Sequence, residues 1–238
     1  PPGVLNVVTG SGGVVGEAIV RHPEIKKISF TGNCATGRRV RELASVQMKD
    51  LILELGGSDP MIVMDDADID RAVDGALRGR FYNAGQTCTA VKRLYVHEKI
   101  ADRFVQDLKT RIGALTVGNG LGPKTDMGPL NSAEQRERIE QMVDRTRERG
   151  DGTIIAGGSV LRGKAFEAGY FYHPTLVTDV AHDSCLVQEE VFGPVLPVMT
   201  VPDLDAAIVA ANATRYGLGA SVWTKNLHTA RRVFDEVQ

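Results

Sequence analysis

The chain has 238 residues, a net charge of −2 at pH 7 and 42% hydrophobic residues. This length suits one large domain or two smaller ones, and either arrangement can bury a substantial core. The small net charge offers no basic field for nucleic acid or anionic lipid, and no apolar run approaches the roughly 20 residues that span a bilayer. We therefore expect a protein that binds neither nucleic acid nor membranes.

The three cysteines, Cys34, Cys88 and Cys185, are too few and too far apart for a disulfide framework. Reduced thiols favour a cytoplasmic location. The five histidines show no metal-ligand spacing with each other or with the cysteines, so no metal site is predicted. A strand directly at the N-terminus and a short helical segment at the C-terminus suggest a fragment of a longer chain.

Strands and amphipathic helices alternate along the chain, which predicts an α/β fold with parallel strands and right-handed crossovers. The first part is predicted to contain strands at 4–9, 26–31 and 51–55 and helices at 13–21 and 36–46. Three strands are about half of a doubly wound dinucleotide-binding domain, so we place a domain boundary near Gly57. After it the pattern predicts strands at 61–64, 93–97, 153–156, 195–200 and 220–224, and helices at 69–81, 100–115, 132–150 and 204–213.

Two glycine-rich turns each follow a predicted strand and open a predicted helix. The first is Thr9-Gly-Ser-Gly-Gly-Val-Val-Gly16 and the second is Phe30-Thr-Gly-Asn-Cys-Ala-Thr-Gly37. Glycine lets the backbone approach a phosphate, and a helix N-terminus offers free N–H groups. Either turn could equally be a simple tight connection, so phosphate binding and a structural role both stay open.

Glu54 lies at the end of an apolar strand, before a glycine pair, where open parallel sheets place their ligands. Burial there would raise the pKa of its carboxyl and suit it to general-base catalysis. The alternative is a carboxylate that emerges into solvent.

Cys88 lies in a polar loop after an apolar helical run. A reactive thiolate would need hydrogen-bond donors, for which Asn83, Gln86 and backbone N–H groups are candidates. The alternative is a small buried residue that only packs.

The loop Gln188-Glu-Glu-Val-Phe-Gly-Pro194 places two acids and an aromatic before a Gly-Pro turn. One acid could bind a ribose and Phe192 could hold an aromatic ring. A turn with a packed phenylalanine is the alternative.

Four motifs occur in register and together resemble the aldehyde dehydrogenase superfamily. They are Phe30-Thr-Gly-Asn33, Leu53-Glu-Leu-Gly-Gly57, Asn83-Ala-Gly-Gln-Thr-Cys88 and Glu189-Glu-Val-Phe-Gly-Pro194. The resemblance covers essentially the whole chain. It implies an aldehyde dehydrogenase-like α/β fold, with residues 1–57 as the C-terminal half of a Rossmann-type dinucleotide-binding domain and residues 58–238 as an α/β catalytic thiol domain, truncated at its C-terminal end.

The same resemblance implies NAD or NADP as cofactor, an aldehyde substrate and a homo-oligomer for the full-length protein. It makes Cys88 the nucleophile and Glu54 the general base. The residues that it assigns to the cofactor are Gly12, Gly16, Thr31, Gly32, Asn33, Gly37, Leu55, Glu190 and Phe192. Asn33 stands where the family often has serine.

The implied reaction oxidises an aldehyde to a carboxylic acid through a thiohemiacetal and a thioester at Cys88. Glu54 would activate the water that hydrolyses the thioester. Ser58 stands where lysine is common, and the Gly-Gly-Ser-Asp-Pro form is similar to succinate-semialdehyde and some sugar-aldehyde (glyceraldehyde-type) relatives.

Two other interpretations stay open. A coenzyme A-acylating semialdehyde dehydrogenase would release the thioester to coenzyme A, although that branch typically lacks the carboxylate of Glu54. A non-catalytic structural or binding protein could retain the fold. Because the family's asparagine for the oxyanion and lysine for the adenosine ribose would lie upstream of Pro1, we expect the 238-residue chain alone to be inactive.

Overall fold

The computed structural model describes residues 1–238, and the chain forms two compact units, Pro1–Gly56 and Gly57–Gln238. The alternation of strands and helices that the sequence predicts is confirmed in both units. No helix in the chain is long and apolar enough to cross a membrane.

The first unit is a two-stranded parallel sheet covered by helices. Its elements are a π-helical turn (Gly12–Gly16), α1 (Glu17–Arg21), β1 (Lys27–Thr31), α2 (Cys34–Ser45) and β2 (Asp50–Glu54). The register pairs Lys27 with Asp50 and Thr31 with Glu54, so both strands end at the same edge. Val20, Ile28, Val40, Leu43 and Ala44 form its small core.

The predicted strand at 4–9 is wrong. Residues 4–9 lie outside any strand, and Val4, Leu5 and Val7 are all more than three-quarters exposed. β1 pairs only with β2, so this segment has no neighbouring strand to complete its hydrogen bonds. Residues with high β-propensity form a strand only where a neighbouring strand can pair with them. Residues 4–9 have no such neighbour.

The second unit contains a six-stranded sheet with the order β5-β6-β7-β4-β3-β8. Its strands are β3 (Asp59–Val63), β4 (Val91–His97), β5 (Thr153–Ala156), β6 (Thr175–Thr178), β7 (Val195–Val201) and β8 (Ser221–Trp223). All neighbours are parallel except β5 and β6. β7 and β4 lie at the centre, and β3, β4 and β7 are almost wholly buried, as expected for parallel strands covered on both faces.

Helices cover this sheet: α3 (Ile69–Phe81), α4 (Glu98–Gly113), α5 (Ala133–Arg149), α6 (Cys185–Gln188), α7 (Leu204–Asn212) and α8 (Leu227–Glu236). Side-chain caps fix where the helices begin, since they satisfy N–H groups that lack an acceptor inside the helix. Asp68 caps α3 by accepting from the Arg71 N–H at 3.2 Å. Asp66, two residues before this cap, instead accepts from Thr224 Oγ1 at 2.8 Å.

Candidate active site

The chain between α3 and β4 has an unusual backbone path that presents Cys88. After Phe81 a 3-10 turn spans Tyr82–Gly85, in which Asn83, Ala84 and Gly85 all have positive φ values of 50°, 54° and 72°. Ala84 is buried, and a left-handed alanine costs about 1 kcal/mol or more. The surrounding structure must therefore hold this turn in place.

Side-chain hydrogen bonds of Gln86 stabilise the turn. Its Nε2 donates to Asn83 O at 3.0 Å, and its Oε1 accepts from the Asn131 N–H at 2.8 Å. Asn83 Nδ2 donates back to Gln86 O at 3.1 Å. The suggestion that Asn83 and Gln86 donate to the thiol is therefore wrong, because their amide groups are used inside the loop.

Cys88 itself is half-buried in the turn that follows, and its thiol makes no hydrogen bond within the chain. The turn closes with a bond from the Ala90 N–H to Thr87 O at 3.2 Å, which leaves the Cys88 N–H without an acceptor in the chain. A free N–H beside a thiol is the donor type that stabilises the oxyanion that forms on a carbonyl oxygen when the sulfur attacks the carbonyl carbon.

The other two cysteines lie in different settings. Cys185 Sγ lies 3.4 Å from Met142 O and 3.8 Å from Thr146 Oγ1, in contacts typical of packing. Cys34 is the first residue of α2, and its Sγ lies 3.9 Å from Gly56 O.

Two buried cations connect the Cys88 turn to the loop at 188–194. Lys92, on β4, is fully buried and donates through Nζ to Thr87 O, Cys88 O and Glu190 Oε1 at 3.1, 2.7 and 3.1 Å. Arg80, near the end of α3, is also fully buried and donates to Val191 O at 2.9 Å and to Gly193 O. Burial lowers the pKa of the Arg80 guanidinium to about 9. Sequence analysis missed both residues as parts of the site.

Glu190 is oriented by two donors on one of its oxygens. Its Oε1 accepts from Lys92 Nζ and from the Gly57 N–H at 3.3 Å. Its other oxygen, Oε2, makes no hydrogen bond in the chain, and the side chain is 16% exposed. Phe192 lies beside it, with the Lys92 ammonium 5.8 Å from its ring centroid. An oriented carboxylate with a free oxygen fits the hydroxyl groups of a ribose.

A close backbone approach fixes the Cys88 loop against the same segment. A Cβ added at Gly85 would lie 2.3 Å from Gly193 O, so no other residue fits there without displacing the backbone. With Arg80 bonded to the same carbonyl, the nucleophile turn and the Glu190–Phe192 segment form one packed structure.

A cleft of about 700 Å³ opens beside the Cys88 turn. Thr87 and Thr89, the residues on either side of Cys88, line it, as does Tyr82, whose side chain is 76% exposed. Its charged lining residues are Asp74, Arg78 and Asp126. The cleft therefore offers an aromatic surface and two carboxylates beside the Cys88 turn, of which Asp74 pairs with Arg111.

In the first unit, the predicted cofactor residues occupy the turns at the carboxyl ends of β1 and β2. Thr31 and Glu54 end the two strands side by side, and the Gly32 N–H donates to Glu54 O at 3.0 Å. Asn33 caps α2 by accepting from the Thr36 N–H at 2.8 Å. A Cβ at Gly37 would lie 2.4 Å from Leu55 Cδ2, so glycine permits that helix–strand contact.

The first glycine turn has open space around it. A Cβ at Gly12 or Gly16 would meet nothing within 4 Å, so the surface there is open to a ligand but does not itself require glycine. Glu54 is exposed at the end of β2, so the expected burial of its carboxyl is not found. The strand is too short and too open on that face to enclose the carboxylate.

Asp59, at the start of β3, is a buried acid that the sequence did not single out. Its side chain accepts from the Gly219 N–H at 3.2 Å, and the residue is only 6% exposed. Desolvation raises the pKa of its carboxyl to about 6, although the neighbouring Lys92 and Arg93 oppose the shift.

We expect Asp59→Asn to change how stability depends on pH. Because the folded-state pKa is raised, the folded form holds a proton between pH 4 and 6 that the unfolded chain has released. This contribution is fully present below about pH 4 and is lost as the pH rises through about 6, by about 3 kcal/mol. Urea unfolding from pH 4 to 7.5 should show the variant gaining stability relative to the wild type as the pH rises.

Asp65→Asn is the matched control for this measurement. The hydrogen bond from Lys99 lowers the pKa of the exposed Asp65, so its dependence on pH has the opposite sign. A constant difference between Asp59→Asn and the wild type across this range would contradict the assignment.

The sequence profile of the aldehyde dehydrogenase family matches residues 1–238. The chain belongs to the aldehyde dehydrogenase family. It is 40% identical over 238 residues to a betaine aldehyde dehydrogenase of Brucella anthropi, an alignment that covers 100% of this chain and 48% of the relative. The chain thus spans about half the length of the curated relatives that it matches.

Solved structures show the same fold. A betaine aldehyde dehydrogenase of Staphylococcus aureus in complex with NAD+ superposes with a TM-score of 0.93 at 38% identity, over 97% of this chain and 45% of that one. A 3,6-anhydro-L-galactose dehydrogenase in complex with NADP gives a TM-score of 0.94 at 38% identity, over 97% of this chain and 48% of the other.

Proposed function

We propose that the protein oxidises an aldehyde to a carboxylic acid with NAD or NADP, using Cys88 as nucleophile and Glu54 as general base. The observation that carries the proposal is the Cys88 turn, which three left-handed residues and two buried cations hold against the Glu190–Phe192 segment. A solvent-facing structural cysteine would not need such a support. Family membership and relatives with bound NAD or NADP add to it.

Cys88 would attack the carbonyl carbon, and its own backbone N–H would donate to the oxyanion of the thiohemiacetal. NAD or NADP, when bound, accepts the hydride that leaves this carbon. Glu190 would orient the nicotinamide ribose through its free oxygen, and Phe192 would lie beside the ring. Glu54 would then take a proton from the water that attacks the Cys88 thioester, which releases the acid and frees the thiol.

The remaining assigned residues belong to the cofactor side of this proposal. Residues 1–57 would act as part of the dinucleotide-binding domain and residues 58–238 as the catalytic domain. The turns with Gly12, Gly16 and Gly32 would approach the phosphates. Thr31, Asn33, Gly37 and Leu55 would shape that surface, Gly37 and Leu55 through their mutual packing. The three free cysteines support a reducing cytoplasmic setting, and we propose a homo-oligomer for the full-length protein.

For the substrate we propose an aldehyde that carries a quaternary ammonium group. The relatives named betaine aldehyde dehydrogenases suggest this class. The exposed ring of Tyr82 and the carboxylates of Asp74 and Asp126 support it, because aromatic faces and acids attract an alkylated ammonium ion. Arg78 is the only cation that lines the cleft.

The test compares betaine aldehyde with 3,3-dimethylbutanal, its uncharged isostere, on the full-length protein with NAD and with NADP. We expect NAD(P)H formation with a kcat/KM at least about tenfold higher for the cation, a factor equivalent to about 1.4 kcal/mol of cation–π and charge attraction. No NAD(P)H from either aldehyde would overturn the activity. Equal kcat/KM values would overturn only the substrate class.

Product analysis with and without coenzyme A separates the hydrolytic reaction from the acylating one. We expect the free acid in both cases, since Glu54 is present to activate water. A product that forms only as the coenzyme A thioester would favour the acylating branch. Binding of aldehyde and cofactor without turnover would favour a non-catalytic protein.

A further inference from the structure

We propose that Lys92 is a positioning residue that couples the carboxylate of Glu190 to the turn that carries Cys88. This inference rests on the proposed function and extends it, because Lys92 itself is not among the assigned nucleophile, base or cofactor residues, although it contacts two of them. Its ammonium group is the only one in the chain bonded to both parts of the site.

The geometry places one ammonium group among three acceptors. Nζ donates to Thr87 O at 3.1 Å and to Cys88 O at 2.7 Å, which are successive carbonyls of the nucleophile turn. Its third bond, 3.1 Å long, goes to Glu190 Oε1. An ammonium has three donors and no acceptor, so all of its hydrogen-bonding capacity is used here.

The turn depends on such a donor because its own backbone leaves these carbonyls pointing inward. The Cys88 carbonyl receives no hydrogen bond other than the one from Lys92. An unpaired buried carbonyl is unfavourable, so without Lys92 the turn would rotate its peptide groups toward other donors. The position of the Cys88 thiol and of its N–H would change with them.

Glu190 is held in a comparable way. Apart from Lys92, its side chain is bonded only to the Gly57 N–H, at a longer distance of 3.3 Å. Lys92 supplies a charged and shorter bond, which keeps Oε1 engaged and leaves the other oxygen for a ribose hydroxyl. Lys92 Nζ also lies 5.8 Å from the centroid of the Phe192 ring. The same ammonium group therefore interacts with both residues that are predicted to lie beside the nicotinamide, Glu190 and Phe192.

A purely structural role accounts poorly for this lysine. Burial lowers the pKa of its ammonium, while Glu190 opposes the shift, so placing a cation here is unfavourable by itself. Replacing a buried ion pair as a whole by apolar residues of similar volume is often neutral or stabilising, so the pair of Lys92 and Glu190 is weak evidence for a role in stability. Stability alone therefore does not require a lysine here, whereas its hydrogen bonds join the two parts of the site.

The test uses Lys92→Met in the full-length protein, with Lys99→Met as the matched control. Lys99 is an exposed lysine that pairs only with Asp65 at 3.0 Å. Three quantities are measured: the rate of Cys88 alkylation by iodoacetamide without cofactor, the KM for NAD(P), and kcat. The alkylation rate requires no turnover, so it reads the turn geometry even if the proposed reaction were wrong.

For Lys92→Met we expect a change in the alkylation rate of at least about fivefold, a rise of about tenfold in the cofactor KM and a fall of about tenfold in kcat, as expected for losing hydrogen bonds to a charged group. Its Tm should fall, because the Thr87 and Cys88 carbonyls and the Glu190 carboxylate lose a donor, while circular dichroism should still show a folded protein. For the double variant Lys92→Met/Glu190→Gln, the change in the free energy of activation calculated from kcat should be smaller than the sum of the changes in the two single variants, because the two residues act through one contact.

Values for Lys92→Met within twofold of those for Lys99→Met in all three measurements would overturn the inference. Loss of folding in both Lys92→Met and Lys92→Gln would also overturn it, since the lysine would then serve the fold. A wild-type protein without dehydrogenase activity but with an altered alkylation rate in Lys92→Met would overturn the proposed function while leaving the coupling intact.

Discussion

Cys88→Ala is expected to lose at least about a thousandfold of the kcat for NAD(P)-dependent aldehyde oxidation, because removal of a covalent nucleophile leaves only binding and polarisation of the carbonyl. The turn itself should survive, since its hydrogen bonds come from Gln86, Asn83 and Lys92 and none involves the thiol. The measurement is the initial rate of NAD(P)H formation at saturating aldehyde, with circular dichroism to confirm the fold.

Cys185→Ala is the control for this experiment. Cys185 Sγ contacts Met142 O and Thr146 Oγ1 and makes no hydrogen bond to the Cys88 turn. Its loss should therefore leave kcat within about twofold of the wild-type value and lower the free energy of unfolding by about 1 kcal/mol. Retention of wild-type turnover by Cys88→Ala would refute the assignment of the nucleophile.

Glu54→Gln is expected to separate the two halves of the reaction. Acylation of Cys88 releases the hydride before any water is needed, so the first turnover should still yield about one NAD(P)H per site in a rapid burst. Hydrolysis then lacks its base, and the steady-state rate should fall by about 10²–10⁴-fold. Stopped-flow absorbance under excess aldehyde measures both phases in one trace.

Glu42→Gln provides a matched change in the same unit of the chain. Glu42 is an exposed residue of α2 whose only ion pair is with Arg39 at 3.8 Å, and exposed pairs contribute little. Glu42→Gln should show the same burst amplitude and the same steady-state rate as the wild type. If Glu54→Gln lost the burst together with the steady-state rate, Glu54 would act before or during acylation rather than in hydrolysis.

Most of the fold could be predicted from the sequence because hydrophobic periodicity and capping residues determine most of its helices and strands. Helix α3 was predicted at its observed bounds, where Asp68 begins it and the apolar pattern continues to Phe81. β6 was missed, although β5, which has the same length, was predicted at its observed bounds. The strand at 4–9 was predicted wrongly because pairing, which decides it, depends on neighbours that local sequence does not encode.

The site was only partly predictable for a related reason. Cys88 and Glu190 stand in recognisable motifs, but their support comes from charged residues within buried elements. Lys92 and Glu190 lie 98 residues apart in sequence, and Arg80 and Gly193 lie 113 apart. The available signal was the adjacent pair Lys92 and Arg93 within an otherwise apolar strand, a pattern that requires buried partners.

The most direct test of this account is to trap the covalent intermediate. Full-length Glu54→Gln protein is mixed with NAD(P) and aldehyde, quenched in acid, digested, and the peptides are analysed by mass spectrometry. We predict the acyl mass on the peptide that contains Cys88, dependent on both aldehyde and cofactor and absent from peptides with Cys34 or Cys185. An acyl group on another residue, or turnover with no acylated Cys88, would contradict the account.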